Sequence, residues 1–275
     1  MRLLIPTGGA PHSEVALHLG VYILQTQPAG EAPTILTIIE DEKNRPKAER
    51  LLAQASELLK PAAQEVRTRV RVGHHAEEII AEATEGNYDL IILGERLSHR
   101  LVTRLLGSTV TRVIAHAPCP VIIAKGKINP IQRILLCDSG AKSPSLLSRF
   151  TSQLARLIKG EVKVTILHVM SQMSAGPGVV GRDLRANAEE LIREHALEGE
   201  LLMRDIELLA EANIQAQPKV RHGFVVDEIL DEARRGGYDL VAIGAHPDEG
   251  WSRFLLDNLA QQIITQIDRP VLVLR

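Results

Sequence analysis

The chain has 275 residues, of which 45% are hydrophobic and 24% charged, a composition typical of soluble globular proteins. Its 32 Lys and Arg residues against 34 Asp and Glu give a net charge of −2, and 3% are aromatic, which argues against nucleic acid as a partner. Cys119 and Cys137 lack the spacing of a zinc site or disulfide framework, and no apolar run approaches the roughly 20 residues of a membrane helix. We therefore expect a cytoplasmic location and no membrane partner.

Strands and helices alternate along the first half of the sequence. The strands are continuous apolar runs, as expected where both faces of a sheet are covered. Alternation of this kind predicts right-handed crossovers and a parallel sheet. In chain order the predicted elements are strand Arg2–Pro6, helix Ser13–Gln25, strand Thr34–Ile39, helix Lys47–Val66, strand Arg67–Val72, helix Ala76–Glu85, strand Leu90–Leu93, helix Ser108–His116 and strand Val121–Ala124.

The chain repeats itself. "VRVGHHAEEIIAEATEGNYDLIILG" at Val70–Gly94 aligns without a gap on "VRHGFVVDEILDEARRGGYDLVAIG" at Val220–Gly244. A period this long indicates a duplicated domain rather than a solenoid. We predict two α/β domains, at 1–127 and 128–275, joined near Gly126–Pro130.

The second half carries an insertion that the first half lacks. A Gly- and Ser-rich stretch at Ser171–Arg182 is predicted to supply most of it as a loop. The following segment, Asp183–Asn213, has the apolar spacing of one amphipathic helix that packs on the sheet.

The loop after the fourth strand is the strongest candidate for an anion site. Ligands of parallel α/β sheets bind beyond the carboxyl ends of the strands. Gly94 ends the strand, and Gly107-Ser108-Thr109 begin the next helix, where free N–H groups favour an anion. The loop carries three arginines against one glutamate, which suits a phosphate chain. Among these arginines, Arg96 is closest to Gly94.

The corresponding loop of the second half differs in charge. It has Arg253 against three acidic residues, and Asp257-Asn258 replaces Gly107-Ser108. Asp257 is a favourable N-cap, so its carboxylate occupies the position of a phosphate. A nucleotide is therefore expected in the first half and not in the second.

The sequence resembles the universal stress protein family, in its tandem two-domain form, along nearly its whole length. The resemblance rests on "YDLIILG" (Tyr88–Gly94), "LLGSTVTRVIAHAPCPVIIAK" (Leu105–Lys125), "RILLCDSG" (Arg133–Gly140), and the second-half "YDLVAIG" and "RPVLVLR". It implies two Rossmann-like domains of the adenine nucleotide alpha hydrolase-like type. Each would have a five-stranded parallel sheet with helices on both faces.

The resemblance also implies a cofactor. Many members bind ATP through a glycine, two residues, a second glycine, nine residues and then Gly-Ser or Gly-Thr. Gly94 and Gly107-Ser108 match this pattern, whereas Leu97 stands at the second glycine. ATP, with Mg²⁺, is thus expected over Gly94 and Arg96. The full set of predicted binding residues is Thr7, Gly9, Gly94, Arg96, Gly107, Ser108 and Thr109.

The turn after the first strand departs from the family pattern. Members that bind ATP usually have Asp-Gly-Ser there, and this chain has Gly8-Gly9-Ala10. Thr7 offers a hydroxyl at this place. Two functions follow as alternatives: an adenine-nucleotide sensor without evident catalysis, or a scaffold for interaction or dimerisation in which both sites are degenerate.

Further expectations concern assembly and chemistry. The family pairs domains through the last strand, so Val121–Ala124 and Val271–Leu274 are expected to form a pseudo-dimer inside one chain, with a homodimer as a further option. Adjacent His74 and His75 point apart in a strand, and we expect no metal site. A hydrolase that uses bound ATP lacks an identifiable base, and Cys119 is expected to be a packed thiol.

Overall fold

A computed structural model describes residues 1–26, 31–95, 107–138, 162–170, 186–244 and 260–274. The chain divides into two compact units. Unit 1 comprises Met1–Pro130 together with Ile264–Arg275, and unit 2 comprises Ile131–Ile263. The last strand of the chain belongs to the second copy of the sequence repeat, but in space it is part of unit 1.

Unit 1 alternates strands and helices as the sequence predicts. The β-branched and leucine-rich runs form the strands, and the segments with helical spacing form the helices. Its elements are β1 (Leu3–Pro6), α1 (Pro11–Gln25), β2 (Thr34–Ile39), a 3₁₀ turn (Glu42–Asn44), α2 (Arg45–Leu59), β3 (Arg67–Val72), α3 (His75–Glu85), β4 (Leu90–Gly94), α4 (Ser108–His116), β5 (Val121–Ala124) and β10 (Val271–Leu274).

The sheet of unit 1 runs in the order β3-β2-β1-β4-β5-β10. The first five strands are parallel, and β10 pairs antiparallel with β5, with Leu272 opposite Ile122. The chain leaves β1 towards β2 on one side and later returns to β4 on the other. This reversal of strand order lies at the carboxyl ends of β1 and β4, the usual ligand position in such sheets, and we call this position the crevice.

Burial separates the centre of this sheet from its edge. All residues of β1, β2 and β5 are buried, whereas β3 is mostly exposed and carries Arg67, Arg69 and Arg71. Charged side chains on an outer strand disfavour pairing with another chain. Helices cover both faces of the sheet, which confirms the predicted fold class.

Unit 2 repeats the same scheme. Its elements are β6 (Arg133–Asp138), β7 (Lys163–Met170), α5 (Ala188–Arg193), α6 (Leu197–Glu211), β8 (Gln215–His222), α7 (Val225–Arg235) and β9 (Leu240–Gly244), followed by helical residues at 260–263. The strands are parallel in the order β9-β6-β7-β8. Pro218 lies in β8, an outer strand of this unit, where a missing N–H is tolerated.

Two helix predictions were wrong in extent. The helix predicted over Lys47–Val66 ends at Leu59, because Pro61 lacks an N–H and clashes with the preceding turn. A single helix is predicted over Asp183–Asn213, but the described part of this segment, from residue 186 onward, forms two helices, α5 and α6. They are separated at His195, whose φ of 54° breaks the helical path.

In the part of the chain that the structure describes, every helix is too short or too polar to cross a membrane.

Candidate functional site

The turn that follows β1 borders the crevice of unit 1 and satisfies its own donors. The N–H of Gly8 donates to Ser13 Oγ at 3.3 Å, and the N–H of Gly9 donates to Thr7 Oγ1 at 3.4 Å. The Thr7 carbonyl accepts a hydrogen bond from Thr37 Oγ1 at 3.1 Å, which ties the turn to β2. Thr7 and Ser13 are both buried. The turn therefore holds its shape without a bound anion.

Gly9 and Gly94, two of the predicted binding residues, are also required by the fold. Gly9 has a φ of 74°, a conformation that favours glycine. Gly94 ends β4 against the first turn of α1, and a Cβ placed there would overlap the carbonyl oxygen of His12. These contacts bring the carboxyl end of β4 next to the turn after β1. They explain both glycines whether or not a ligand is bound.

Gly107 has no such explanation. Its φ and ψ of −58° and 144° suit any residue, and a Cβ there would meet none of the described atoms within 4 Å. Gly107 is the N-cap of α4, and its carbonyl accepts the first helical hydrogen bond from Thr111 at 3.0 Å. Because glycine has no side chain to cap the helix, the first N–H groups of α4, including those of Ser108 and Thr109, have no capping partner from residue 107.

The helix behind this N-terminus is well anchored. Val110 and Val113 are buried beneath it, and Arg112 pairs with Glu77 of α3 at 3.0 Å. Gly107 and Ser108 themselves are exposed, and Thr109 is half-buried. The arrangement presents the positive end of a fixed helix dipole to solvent.

Some predicted positions lie outside the described residues. These are Arg96 and Leu97 in the first half, and the predicted loop Ser171–Arg182, Arg253, Asp257 and Asn258 in the second. Gly244, the counterpart of Gly94 in the repeat, ends β9.

Each unit has an ion-pair cluster built on an arginine, two glutamates and a tyrosine that the two copies share, whereas the third carboxylate, Glu85 or Asp231, differs between them. In unit 1, Arg71 of β3 bonds three carboxylates of α3: Glu78 at 2.6 Å, Glu82 at 3.0 Å and Glu85 at 2.8 Å. The hydrogen bond from Arg71 lowers the pKa of Glu85. Tyr88 donates to Glu82 Oε1 at 3.0 Å and closes the cluster.

The cluster of unit 2 has the same plan and is more deeply buried. Arg221 pairs with Glu228 at 2.5 Å, with Glu232 at 2.9 Å and with Asp231. Tyr238 donates to Glu232 Oε1 at 2.8 Å, and burial raises the pKa of this phenol to about 12. Burial opposes ionisation of Glu232, but hydrogen bonds from Lys219, Tyr238 and Arg221 lower its pKa on balance. The Glu232 side chain is 2% exposed.

The aspartate of each Tyr-Asp-Leu motif caps the start of a strand. Asp89 Oδ2 accepts from the N–H of Arg2 at 2.7 Å. In unit 2, Asp239 Oδ2 accepts from Gln132 and Arg133 at 3.0 and 2.9 Å. These contacts lie at the amino ends of the strands, away from the crevice. The motif is therefore structural in both copies.

Sequence reasoning missed a buried ion pair at the carboxyl ends of β4 and β5. Glu95 follows β4 and Lys125 follows β5, and Lys125 Nζ lies 3.0 Å from Glu95 Oε2. Both residues are buried, and only 2% of the Lys125 side chain is exposed. The sequence did contain an indication of this pair. Glu95 and Lys125 have opposite charges, and each directly follows an apolar strand that is predicted to end at the same edge of the sheet.

Other chemical candidates are accounted for by the fold. His74 is the N-cap of α3 and His75 its first residue. Among the described residues, no group of three or more His, Cys, Asp or Glu side chains is placed to hold a metal ion. Cys119 is buried, and burial raises the pKa of its thiol to about 12. It is a packed thiol, as expected.

The fold and the site together define a duplicated parallel α/β protein. In unit 1 the strand order reverses at the carboxyl ends of β1 and β4, and α4 begins at Gly107, which has no side chain to cap it. The universal stress protein family model matches residues 1–125 and again 130–275. The chain belongs to this family, whose members are stress-response proteins, and it carries two copies of the domain.

Individual relatives agree with this assignment. The chain is 25% identical over 238 residues to universal stress protein Slr1230 of Synechocystis, covering 84% of this chain and 73% of that protein. A universal stress protein from Archaeoglobus fulgidus has the same fold, with a TM-score of 0.70 at 19% identity over 99% of this chain and 97% of its own. Protein PA1789 of Pseudomonas aeruginosa, described as functionally unknown, gives a TM-score of 0.68 at 18% identity, with 99% and 92% covered.

Proposed function

We propose that unit 1 is an adenine-nucleotide sensor that binds ATP, with Mg²⁺, without evident catalysis. The observation that carries the proposal is Gly107, a glycine that neither its backbone angles nor its described neighbours require. A phosphate group that approaches the backbone would require it, because a Cβ would stand in its path. The family pattern supports the same ligand, since Gly94 and Gly107-Ser108 match it, although Leu97 stands at its second glycine.

The residues fit a nucleotide in the following way. The phosphates would accept hydrogen bonds from the first N–H groups of α4 and from the hydroxyls of Ser108 and Thr109. Arg96 would add a positive charge. The turn at Thr7 and Gly9 would border the nucleoside, and Mg²⁺ would lie between the phosphates to offset their charge. Nucleotide occupancy would then shift a conformational or partner equilibrium by differential affinity.

A scaffold function is the second candidate, and one observation favours it. The amides of Gly8 and Gly9 are already bonded to Ser13 and Thr7, and no carboxylate follows β1 to hold a nucleoside. The antiparallel pairing of β5 with β10 supports a pseudo-dimer built into one chain, which would act in protein interaction, alone or as a homodimer. The two cysteines of the chain, which lack the spacing of a disulfide framework, suit a cytoplasmic location.

Direct binding measurements separate the two candidates. Protein purified without added nucleotide would be denatured and its supernatant analysed by absorbance and mass for adenine nucleotide. The emptied protein would then be titrated calorimetrically with ATP and Mg²⁺. Released nucleotide, or saturable heat with one site per chain, supports the sensor. Neither released nucleotide nor heat at millimolar ATP overturns the sensor and leaves the scaffold.

A further inference from the structure

The buried pair of Glu95 and Lys125 lies beside the crevice of unit 1. β4 and β5 are parallel neighbours with Gly94 opposite Ala124, and the N–H of Glu95 continues this ladder by donating to the Ala124 carbonyl at 3.1 Å. The residues that follow the two strands therefore come side by side. Their side chains meet at 3.0 Å in a region that leaves 8% of Glu95 and 2% of Lys125 exposed.

Lys125 also contacts the carboxyl-terminal part of the chain. Its Nζ donates to the main-chain carbonyl oxygen of Ile264. Ile264 is buried and is the first residue of the carboxyl-terminal segment of unit 1, which runs on through β10. The sequence repeat assigns this segment to the second copy, so the second copy supplies an acceptor to a lysine beside the first copy's site.

A buried ammonium ion strongly constrains the groups around it. An ion removed from water loses several kcal/mol of hydration, and the loss is offset only where its partners stay in place. Moving either Glu95 or Ile264 away would leave a buried charge short of a partner. Glu95 directly follows Gly94, whose backbone packs against His12 at the turn that borders the crevice. The lysine therefore connects this border to the carboxyl-terminal segment.

We propose that Lys125 is a positioning residue that couples the nucleotide site of unit 1 to the segment 264–274. The inference rests on the proposed nucleotide binding and adds its structural output. Docking of the segment through Lys125 holds Glu95 and Gly94 in the arrangement that nucleotide requires. Because coupling between two equilibria is reciprocal, bound nucleotide must stabilise the docked segment by the same factor by which docking improves affinity.

The variants are chosen to separate coupling from folding. Lys125→Met removes the ammonium but leaves Glu95 buried without its partner, so this variant loses stability as well as affinity. The double variant Glu95→Gln/Lys125→Met removes both charges, restores stability and still lacks the link to Ile264. Lys60→Met is the matched control, since Lys60 pairs with Glu57 on an exposed helix face with both side chains more than 60% exposed.

Two readouts on the full-length chain test the coupling. Calorimetric titration with ATP and Mg²⁺ should show an affinity about tenfold weaker in the double variant than in the wild type, the size of a lost charged hydrogen bond. Amide hydrogen exchange in residues 264–274 should slow about tenfold on nucleotide binding in the wild type and the Lys60→Met control, and should not respond to nucleotide in the double variant.

Each outcome has a separate meaning. Wild-type affinity in the double variant, or a wild-type segment whose exchange ignores bound ATP, overturns the coupling while the nucleotide sensor stands. Affinity that recovers together with stability shows that Lys125 only supports the fold, and it also overturns the coupling. A wild type that gives no heat with ATP overturns the sensor and the coupling together.

Discussion

Substituting Gly107 by aspartate should change stability and nucleotide binding in opposite directions. Aspartate is a better N-cap than glycine by a few tenths of a kcal/mol, and its charge at the helix N-terminus adds about 0.5 kcal/mol. The backbone angles of −58° and 144° and the open surroundings accept the side chain without strain. For a bound nucleotide the same carboxylate lies where a phosphate must approach. Two like charges about 4 Å apart at an effective dielectric constant of about 20 repel by about 4 kcal/mol, or roughly a thousandfold in affinity.

The assay pairs urea unfolding with calorimetric titration of ATP and Mg²⁺. We expect Gly107→Asp to raise the free energy of unfolding slightly and to abolish measurable binding. Ala196→Asp is the matched control, because Ala196 caps α6 with nearly the same backbone angles, −64° and 152°, and likewise lacks a side-chain cap. It should stabilise unit 2 by about 1 kcal/mol and leave ATP affinity unchanged. Intact binding in Gly107→Asp would refute the placement of the phosphates at α4.

Three further predictions concern the clusters and the thiol. Tyr238→Phe should lower the free energy of unfolding by about 2 kcal/mol and Tyr88→Phe by about 1 kcal/mol in urea titrations, because the tyrosine hydroxyl of unit 2 bonds the more deeply buried carboxylate. Equal losses would contradict this ranking. Glu85 and Glu232 have pKa values below their ordinary 4.5 in the folded chain, so their ion pairs stabilise it above that value. This stability should disappear as the pH falls through the lower folded pKa values, and unfolding curves from about pH 6 to about pH 3 check the sign. Cys119, with its pKa raised to about 12, should resist a thiol reagent near pH 8 until urea unfolds the chain, and rapid labelling of the native protein would show the burial to be wrong.

The sequence predicts strands better than helix ends in this protein. β2, β3 and β5 have the predicted bounds, because each is an apolar or alternating run that ends before a glycine or a charged residue. The predicted end of α2 was wrong because the prediction continued the helix past Pro61, and a proline stops a helix. The break between α5 and α6 falls at His195, which has a positive φ, and the two helices on either side of it pack closely. A Cβ on Gly199 would overlap the Leu191 carbonyl, a contact between helices that helical periodicity does not encode.

The site could be predicted only in part, for a physical reason. Gly107-Ser108 can be found from the local sequence alone, since a glycine at the start of a helix lets an anion approach the free backbone N–H groups. The partnership of Glu95 with Lys125 depends on two strands being neighbours with aligned ends, and the acceptor at Ile264 depends on where the last strand lies. Both facts arise from tertiary structure. Once a strand order has been proposed, however, opposite charges that directly follow two neighbouring parallel strands predict an ion pair.

The duplication separates the residues that hold the fold from those that bind a ligand. Where the copies agree, at Arg71 and Arg221 or at the Tyr-Asp motif, the side chains form the ion-pair clusters and strand caps of each unit. They differ at Gly107-Ser108 against Asp257-Asn258, and in the first copy these residues begin α4 at the edge where we propose that nucleotide binds. Residues that are identical in the two copies therefore serve the same structural role in each unit. The function we propose uses this divergence: the sequence predicts that Asp257 supplies a helix cap in the second copy, which would then need no anion there, while the last strand of that copy pairs with β5.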